Sequence, residues 1–262
     1  MRFEHELSIA RDLAWQAGQH ALGYMRKGLS VEEQEDKSDG SPVTIADKEC
    51  EQLFTAGLQA AFPGDGLLGE EGADVAATNG RRWIVDPIDG TRDFVRRNRL
   101  WCNLIALEVN GVVELGVCTF PAMSEVYWAV RGGGAWRSAQ GETTWLKCSN
   151  ITKLSRAVVC VNSLERALVS PCAEKLLSFL GRAWTVRSLG GALDAMFVCS
   201  GHAEIWIEPR AKPWDLAVMQ VVSQEAGLRF FDYNGADTIY GGSAMLCVPD
   251  LEGEVRAFLG LG

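Results

Sequence analysis

The stretch WIVDPIDGTRDF, residues 83–94, places two aspartates three positions apart at the end of an apolar run. Pro87 lies between Asp86 and Asp89, and Gly90 follows directly, so the spacing predicts a short buried strand that turns sharply into a loop. Two carboxylates held this close repel each other unless a divalent cation lies between them. The stretch therefore predicts a strand end that carries a metal site.

Other carboxylates stand in similar settings along the chain. Glu70 and Glu71 occur in LLGEEG, Asp47 in SPVTIADKE and Asp215 in PWDLAV. No histidine is near them in sequence, and the only close thiol is Cys50. Oxygen ligands of this kind favour Mg²⁺ over zinc or copper. The set therefore predicts a Mg²⁺ site, which suits the hydrolysis of a phosphate ester.

Each of these motifs has a commoner structural explanation. A D-x-x-D is more often a turn with solvated side chains, and a glutamate pair after glycine usually begins a helix. An aspartate before LAVMQVV is more often a helix N-cap than a metal ligand, although the two roles can coexist. The joint occurrence of the motifs favours the metal site. If a helix begins after Asp89, the amides of Gly90 and Thr91 can bind the phosphate.

The first 140 residues predict an N-terminal α+β half that carries most of the metal ligands. Apolar residues recur at spacings of three and four over 7–25, and a second helix is predicted over 45–61. The Asn110-Gly111 pair between two β-rich runs predicts a hairpin, and EVYWAVRGGGAW predicts a further strand. Helices packed on an antiparallel sheet are the expected arrangement.

From about residue 141, strands and helices alternate. AVVCVN and AEIWIE predict strands, whereas GALDAMFVCS and DLAVMQVVSQEAG predict helices, the second ending at Gly227. We therefore expect a smaller α/β half over 141–262 that carries Asp215 and begins between about Trp136 and Ser155. No linker-like segment separates the halves, which predicts that they pack into one body.

Composition and charge narrow the function. The formal net charge of −9 argues against a nucleic-acid partner. A polar N-terminus and the lack of a run of about 18 apolar residues argue against a signal peptide or membrane span, so a cytoplasmic protein is expected. The eight cysteines show no C-x-x-C spacing and predict buried thiols, and the three histidines lie far apart and predict surface or packing roles. One basic cluster is either a solvated loop or an attraction for an anionic substrate; it comprises Arg92, Arg96, Arg97 and Arg99.

The segments GEEG, WIVDPIDGTRDF and KPWDLAVMQVVSQEAG together resemble the three signatures of the inositol monophosphatase family. These Mg²⁺-dependent, often lithium-sensitive phosphatases include histidinol-phosphate phosphatases. The resemblance covers nearly the whole chain, and its middle motif is highly specific. It implies a layered α+β/αβ sandwich of αβαβα type, usually a homodimer, with two or three Mg²⁺ ions.

The resemblance also implies roles for individual residues. Glu70, Asp86 and the carbonyl of Ile88 would hold the first metal, and a third, weaker ion would lie near Glu70. The second metal would be held by Asp86, Asp89 and Asp215. Asp47, Glu70 and Thr91 are the implied catalytic residues, of which Asp47 and Thr91 would orient the attacking water. The implied substrate-binding residues are Asp89, Gly90, Thr91, Asp93, Arg96, Gly190, Gly191, Ala192 and Glu208.

Two departures from the family pattern bear on the substrate. Asp93 stands where the family often has Asn, and FVRRNR stands where inositol phosphatases commonly continue FVH. An arginine after FV is more like the histidinol-phosphate branch, and an extra acid at Asp93 would suit a substrate that carries an ammonium group. Alternatively, Asp93 pairs with a neighbouring arginine on the loop.

The resemblance thus implies a phosphoric monoester hydrolase for a small alcohol phosphate, with histidinol phosphate and a place in histidine biosynthesis favoured. Inositol-1-monophosphatase, 3′-phosphonucleotide phosphatase and fructose-bisphosphatase activities are alternatives that use the same chemistry. A pseudophosphatase that serves as a binding module is a further alternative, and it would lack at least one metal carboxylate. All four carboxylates of the implied metal set are present, namely Glu70, Asp86, Asp89 and Asp215.

Overall fold

The computed structural model of the protein describes residues 2–28, 34–37 and 42–261. Over these residues the chain forms eight α-helices and fifteen strands. The helices are α1 (Glu4–Lys27), α2 (Ile45–Ala61), α3 (Thr91–Val95), α4 (Leu164–Ala167), α5 (Ala173–Leu180), α6 (Gly191–Cys199), α7 (Pro213–Glu225) and α8 (Glu252–Leu259). The strands are β1 (Gln34–Asp36), β2 (Pro42–Thr44), β3 (Gly66–Gly69), β4 (Asp74–Val75), β5 (Arg81–Asp89), β6 (Cys102–Val109), β7 (Val112–Phe120), β8 (Glu125–Val130), β9 (Ala135–Ala139), β10 (Glu142–Trp145), β11 (Val158–Val161), β12 (Thr185–Arg187), β13 (Ile205–Glu208), β14 (Arg229–Phe231) and β15 (Ala244–Cys247).

The larger sheet has eight strands in the order β10-β9-β8-β7-β6-β5-β3-β4. It is antiparallel, as predicted, except that β3 pairs parallel to β5. The exception arises because β4 reverses the chain along the outer edge of β3, so that β5 returns in the direction of β3 on its other side. The predicted hairpin is confirmed, since Asn110 and Gly111 join β6 to β7 with φ angles of 51° and 82°.

The smaller sheet has five strands in the order β12-β11-β13-β15-β14. β11 runs parallel to β12 and β13, and the remaining pairs are antiparallel. Because β11 and β13 are parallel, their carboxyl ends meet at one edge of the sheet. The residues that end or follow these two strands, Asn162 and Glu208, therefore lie close together.

The two sheets and the helices stack in five layers. α1 and α2 pack on one face of the larger sheet around Phe54, Trp83 and Trp101. α6 and α7 lie between the two sheets, and α5 and α8 pack on the smaller sheet with Phe179 stacked on Phe258 at 4.4 Å. This αβαβα order confirms the fold expected from the sequence.

The helices predicted from the sequence are present. α2 begins and ends where expected, α1 extends beyond 7–25 at both ends, and α7 is followed by Gly227 with φ 91°. The larger sheet ends at Trp145 and the smaller begins at Val158. The division of the chain into halves at 140/141 stays a prediction.

Cysteine and histidine residues lie as their sequence contexts indicate. All eight cysteines are free, and seven of them are buried. His20 pairs with Glu49 at 2.6 Å, and His5 and His202 contact aromatic rings. None of the described helices is both long enough and apolar enough to cross a lipid bilayer.

Candidate active site

The end of β5 presents Asp86 and Asp89 at the same edge of the larger sheet. Opposite β6, Asp86 pairs with Leu104 and Asp89 with Cys102, so β5 contains one extra residue over this interval. The side-chain amide of Asn103, which is fully buried, donates to the carbonyl of Pro87 within this bulge. The bond satisfies a carbonyl that the irregular pairing leaves without a strand partner.

Asp86, Asp89 and Asp215 form a carboxylate cluster, with one oxygen of each lying within 4.8 Å of the others; Asp86 is buried, and Asp89 and Asp215 are half-buried. Burial, reinforced by the charges of Glu70, Asp89 and Asp215, raises the pKa of Asp86 well above its ordinary value. Burial likewise raises the pKa of Asp89 to about 6 and that of Asp215 to about 8. Asp86 Oδ1 has no hydrogen-bond partner within the described residues. A divalent cation fits this set, because it would bind the orphaned oxygen and offset the mutual repulsion.

Asp215 reaches the cluster from the start of α7. The alternative role of helix N-cap is wrong for Asp215, which is the third residue of the helix, because Pro213 begins α7 and Lys212 is the N-cap. Asp215 Oδ2 accepts the backbone N–H of Lys212 at 2.7 Å. The carboxylate thus stabilises the helix start and faces the cluster at the same time.

Asp47 occupies the equivalent position in α2. Thr44 is the N-cap, and Asp47 Oδ2 accepts its backbone N–H at 2.8 Å and its hydroxyl at 2.5 Å. Asp47 Oδ1 lies 3.3 Å from the hydroxyl of Thr91, which is also 3.1 Å from the carbonyl oxygen of Ile88. Burial raises the pKa of Asp47 to about 6. The structure therefore brings Asp47, Thr91 and Ile88 together.

Glu70 and Glu71 share an ammonium group that the sequence did not single out. Lys37 Nζ lies 2.8 Å from Glu70 Oε1 and 2.7 Å from Glu71 Oε1. Burial alone would lower the pKa of Lys37, but the two carboxylates raise it. Burial raises the pKa of Glu71 to about 7. One lysine does not balance the acids of the site, which leaves negative charge for cations to neutralise.

The helix start after Asp89, which the sequence left open, is present. Gly90 has φ 87°, and α3 begins at Thr91. The carboxylate of Asp93 accepts a hydrogen bond from the side-chain amide of Asn98, so its partner within the described residues is an amide and not a neighbouring arginine. Arg96 is exposed at the end of α3, and no side-chain hydrogen bond or ion pair in the described part of the chain joins it to the other site residues.

The start of α6 closes the site from the side of the smaller sheet. The backbone N–H of Ala192 donates to Asp89 Oδ2 at 3.3 Å. Gly190, with φ 133°, precedes the helix, and its backbone N–H lies 3.2 Å from Asp194 Oδ2. Asp194 also accepts the backbone N–H of Leu189 at 3.0 Å, so it fixes the loop that leads to Gly191.

Glu208 lies at the carboxyl end of β13 and is 3% exposed. Its Oε2 accepts the side-chain amide of Asn162 at 2.5 Å, and its Oε1 accepts the backbone N–H of Arg210 at 3.3 Å. Burial raises the pKa of Glu208 to about 8. A Cβ placed on Gly191 would lie 3.3 Å from Asn162 Nδ2, and one on Gly190 would lie 3.8 Å from Asp93 Oδ2. The glycine loop, residues 190–192, therefore lies between Asp93 on one side and the Asn162–Glu208 pair on the other.

Most residues of the predicted site lie close together in the structure. Several of their hydrogen-bond partners were not predicted, because no sequence motif marks them. Of the predicted metal ligands, Asp86, Asp89 and Asp215 have carboxylate oxygens within 4.8 Å of one another, and the charge of Glu70 helps to raise the pKa of Asp86. The unpredicted residues are polar partners that each come from a distant part of the chain: Lys37, Glu51, Asn98, Asn103 and Asn162. An Asn or Lys without a characteristic spacing gives no sequence signal for such a role.

Known proteins resemble this chain over nearly its full length. The sequence profile of the inositol monophosphatase family matches residues 3–257. A histidinol-phosphatase of Chlorobaculum parvum is 38% identical over 95% of this chain and 94% of that protein. An inositol-1-monophosphatase of Bacillus subtilis is 30% identical over 84% of this chain and 82% of that protein. The solved structure of the IMPase of Thermotoga maritima gives a TM-score of 0.83 at 26% identity and covers 97% of this chain and 96% of that one.

Proposed function

Because the chain belongs to the inositol monophosphatase family and is a phosphatase, we propose that it hydrolyses histidinol phosphate with the help of bound Mg²⁺. The observation that carries the reaction is the cluster of Asp86, Asp89 and Asp215, in which Asp86 is buried and its Oδ1 has no hydrogen-bond partner within the described residues. An all-oxygen set of this kind suits a hard cation and phosphate chemistry. Relatives named histidinol-phosphatase support the substrate, as does the acid at Asp93.

The proposed metal ligands come from both halves of the chain, with Asp215 contributed by the second. Glu70, Asp86 and the carbonyl of Ile88 would hold one Mg²⁺, and a third, weaker ion would lie near Glu70. A second Mg²⁺ would be held by Asp86, Asp89 and Asp215. When bound, Mg²⁺ supplies positive charge to the phosphate ester and lowers the pKa of a water molecule at the site.

Asp47 and Thr91 position the attacking water in this proposal. The backbone N–H of Thr44 donates to Asp47 Oδ2, so Asp47 Oδ1 remains to accept a hydrogen bond from the Thr91 hydroxyl. The oxygen of Thr91 then accepts a hydrogen bond from the water and directs a lone pair of the water at phosphorus. As the water oxygen bonds to phosphorus, one of its protons passes to the Thr91 hydroxyl, whose own proton passes to Asp47. The bond from phosphorus to the alcohol oxygen breaks, a second water protonates the departing alkoxide, and the hydroxide that remains takes the proton from Asp47.

The remaining contacts hold the substrate. The amides of Gly90 and Thr91 at the start of α3 would bind the phosphate, and the loop of Gly190, Gly191 and Ala192 would lie against the alcohol. Asp93 and Glu208 lie on either side of that loop; Asp93 would pair with the ammonium group of histidinol, and Glu208 would contact the alcohol part of the substrate. Arg96 would contribute positive charge at the entrance.

Wider properties follow from family membership. We propose inhibition by lithium and a role in histidine biosynthesis in the cytoplasm, where eight free thiols are expected. We also propose a homodimer. Trp184, Val186 and Phe197 are 70%, 37% and 37% exposed, and β12 lies at the open edge of the smaller sheet. Size-exclusion chromatography with light scattering tests the dimer, and matched LiCl and NaCl titrations of turnover test the inhibition.

The decisive experiment measures phosphate release from L-histidinol phosphate and myo-inositol 1-phosphate side by side, each with Mg²⁺ and with EDTA. We expect a higher kcat/KM for histidinol phosphate and no turnover in EDTA. Glu70→Gln serves as the inactive control, with a loss of more than about 100-fold because it removes a ligand and not merely an outer partner. Equal or better turnover of the inositol ester would overturn the substrate, and full activity of Glu70→Gln would overturn the metal assignment.

A further inference from the structure

The carboxylate of Glu51 lies beneath the turn that carries Glu70. Glu51 projects from α2 and is 5% exposed. Its Oε2 accepts the backbone N–H of Glu71 at 2.7 Å, and its Oε1 accepts that of Ala73 at 2.8 Å. Both carboxylate oxygens thus accept hydrogen bonds from the backbone of the same turn, and one of the donors is Glu71, the residue directly after Glu70.

Gly69 makes room for this contact. A Cβ on Gly69 would lie 2.3 Å from Glu51 Oε2, which no side chain can occupy without displacing the carboxylate. The backbone N–H of Gly69 donates to the carbonyl of Ala73 at 2.7 Å and closes the turn. The segment 69–73 is therefore fixed by its own backbone bond and by two bonds to one carboxylate.

We propose that Glu51 is a positioning residue that holds the backbone of the Glu70 turn in the conformation required for cation binding. The inference rests on the proposed function, because it assigns the held residue to the metal site. Glu70 itself contacts Lys37 and is adjacent to Asp86, so a shift of its backbone would move its carboxylate away from that cluster. Outer partners of metal ligands typically tune metal affinity 10–100-fold.

The test is the substitution Glu51→Gln. Glutamine keeps the shape of the side chain, but its NH₂ group faces a backbone N–H and one of the two bonds is lost. We expect the Mg²⁺ concentration for half-maximal activity to rise about tenfold, while kcat at saturating Mg²⁺ stays near the wild-type value. Isothermal titration calorimetry with Mg²⁺ alone should show the same loss of affinity without substrate.

A second variant and a matched control separate positioning from general stability. Gly69→Ala displaces the Glu51 carboxylate from the other side and should raise the Mg²⁺ requirement in the same way. Glu204 is also buried and accepts a backbone N–H, that of Val158 at 2.6 Å, but it lies at the opposite end of β13 from Glu208. Glu204→Gln should lower the melting temperature and leave the Mg²⁺ titration unchanged.

The outcomes distinguish this inference from the proposed function. A wild-type protein that neither binds Mg²⁺ nor releases phosphate overturns both. If the wild type does both and the Glu51→Gln titration superimposes on it, the inference alone is overturned. The same holds if Glu204→Gln shifts the Mg²⁺ titration equally, or if both Glu51→Gln and Gly69→Ala fail to fold while Glu204→Gln folds, since Glu51 is then a structural residue.

Discussion

Asp93 is the acid that distinguishes this site most clearly at the level of single side chains. It lies beside the glycine loop, and its partner Asn98 carries no charge, so its negative charge is available to a cationic ligand. A carboxylate paired with arginine would already be neutralised. The observed pairing therefore favours a substrate with an ammonium group over a neutral polyol.

Substituting Asp93→Asn tests this selection. Asparagine preserves the size and can still accept from Asn98, but it removes the charge that an ammonium group would meet. We expect the ratio of kcat/KM for histidinol phosphate over inositol phosphate to fall about tenfold, equivalent to about 1.4 kcal/mol. An unchanged ratio would show that another residue selects the substrate.

The starts of α2 and α7 serve both as helix termini and as site walls. In each, an aspartate at the third helical position accepts the N-cap backbone N–H, while the rest of the carboxylate faces the site. The helix start thereby fixes the direction of the functional oxygen. Asp47 and Asp215 are consequently coupled to the stability of the helices that carry them.

Thr44→Ala tests this coupling in α2. The substitution removes the side chain that accepts from Asp47 N and donates to Asp47 Oδ2. We expect a loss of about 1 kcal/mol in the free energy of unfolding, measured by urea titration, together with a lower kcat. Thr55→Ala is the matched control, because the one hydrogen bond that the Thr55 hydroxyl makes to any described residue goes to the carbonyl of Glu51 in the same helix. A loss of stability with unchanged kcat would mean that the cap does not orient Asp47.

Local sequence predicted these elements well because their signals are contiguous. The Asp86–Asp89 pair sits in one twelve-residue stretch with Pro and Gly at the turn, and the helices follow from periodic apolar residues. Lys37 could not be predicted in this way, since it meets Glu70 across 33 positions of sequence and has no characteristic spacing. The placement of Asp215 at the third helical position was likewise hidden, because Pro213 and not the aspartate determines where α7 begins.

For the protein as a whole, the carboxylate cluster makes stability depend on pH and on Mg²⁺. The pKa of Asp89 is raised to about 6 and that of Asp215 to about 8, from an ordinary value of 3.8. In the absence of metal the folded state therefore retains protons that the unfolded chain has lost. Stability of the metal-free protein should fall as pH rises from about 4 to about 8.

The variant Asp215→Asn isolates one group of this effect. In EDTA it should be more stable than the wild type at pH 8 and show no advantage at pH 4, as measured by the urea midpoint. With saturating Mg²⁺ at pH 8 the order should reverse, because only the wild type gains the binding free energy. If the wild type had the higher urea midpoint in EDTA at pH 8, charge repulsion within the cluster would not destabilise the metal-free protein.

The burial of the thiols gives the protein a set of intrinsic reporters. An alkylating reagent reaches a buried cysteine only when the structure around it opens, so labelling rates read by mass spectrometry rank the opening of each layer without any mutation. Cys50 reports on α2, Cys160 on the smaller sheet, and the half-buried Cys148 serves as a fast reference. Cys102, whose sulfur lies 3.7 Å from Asp89 Oδ2, should be alkylated more slowly when Mg²⁺ is present. The alkylation rate of Cys102 would then report the Mg²⁺ occupancy of the site through a single native side chain.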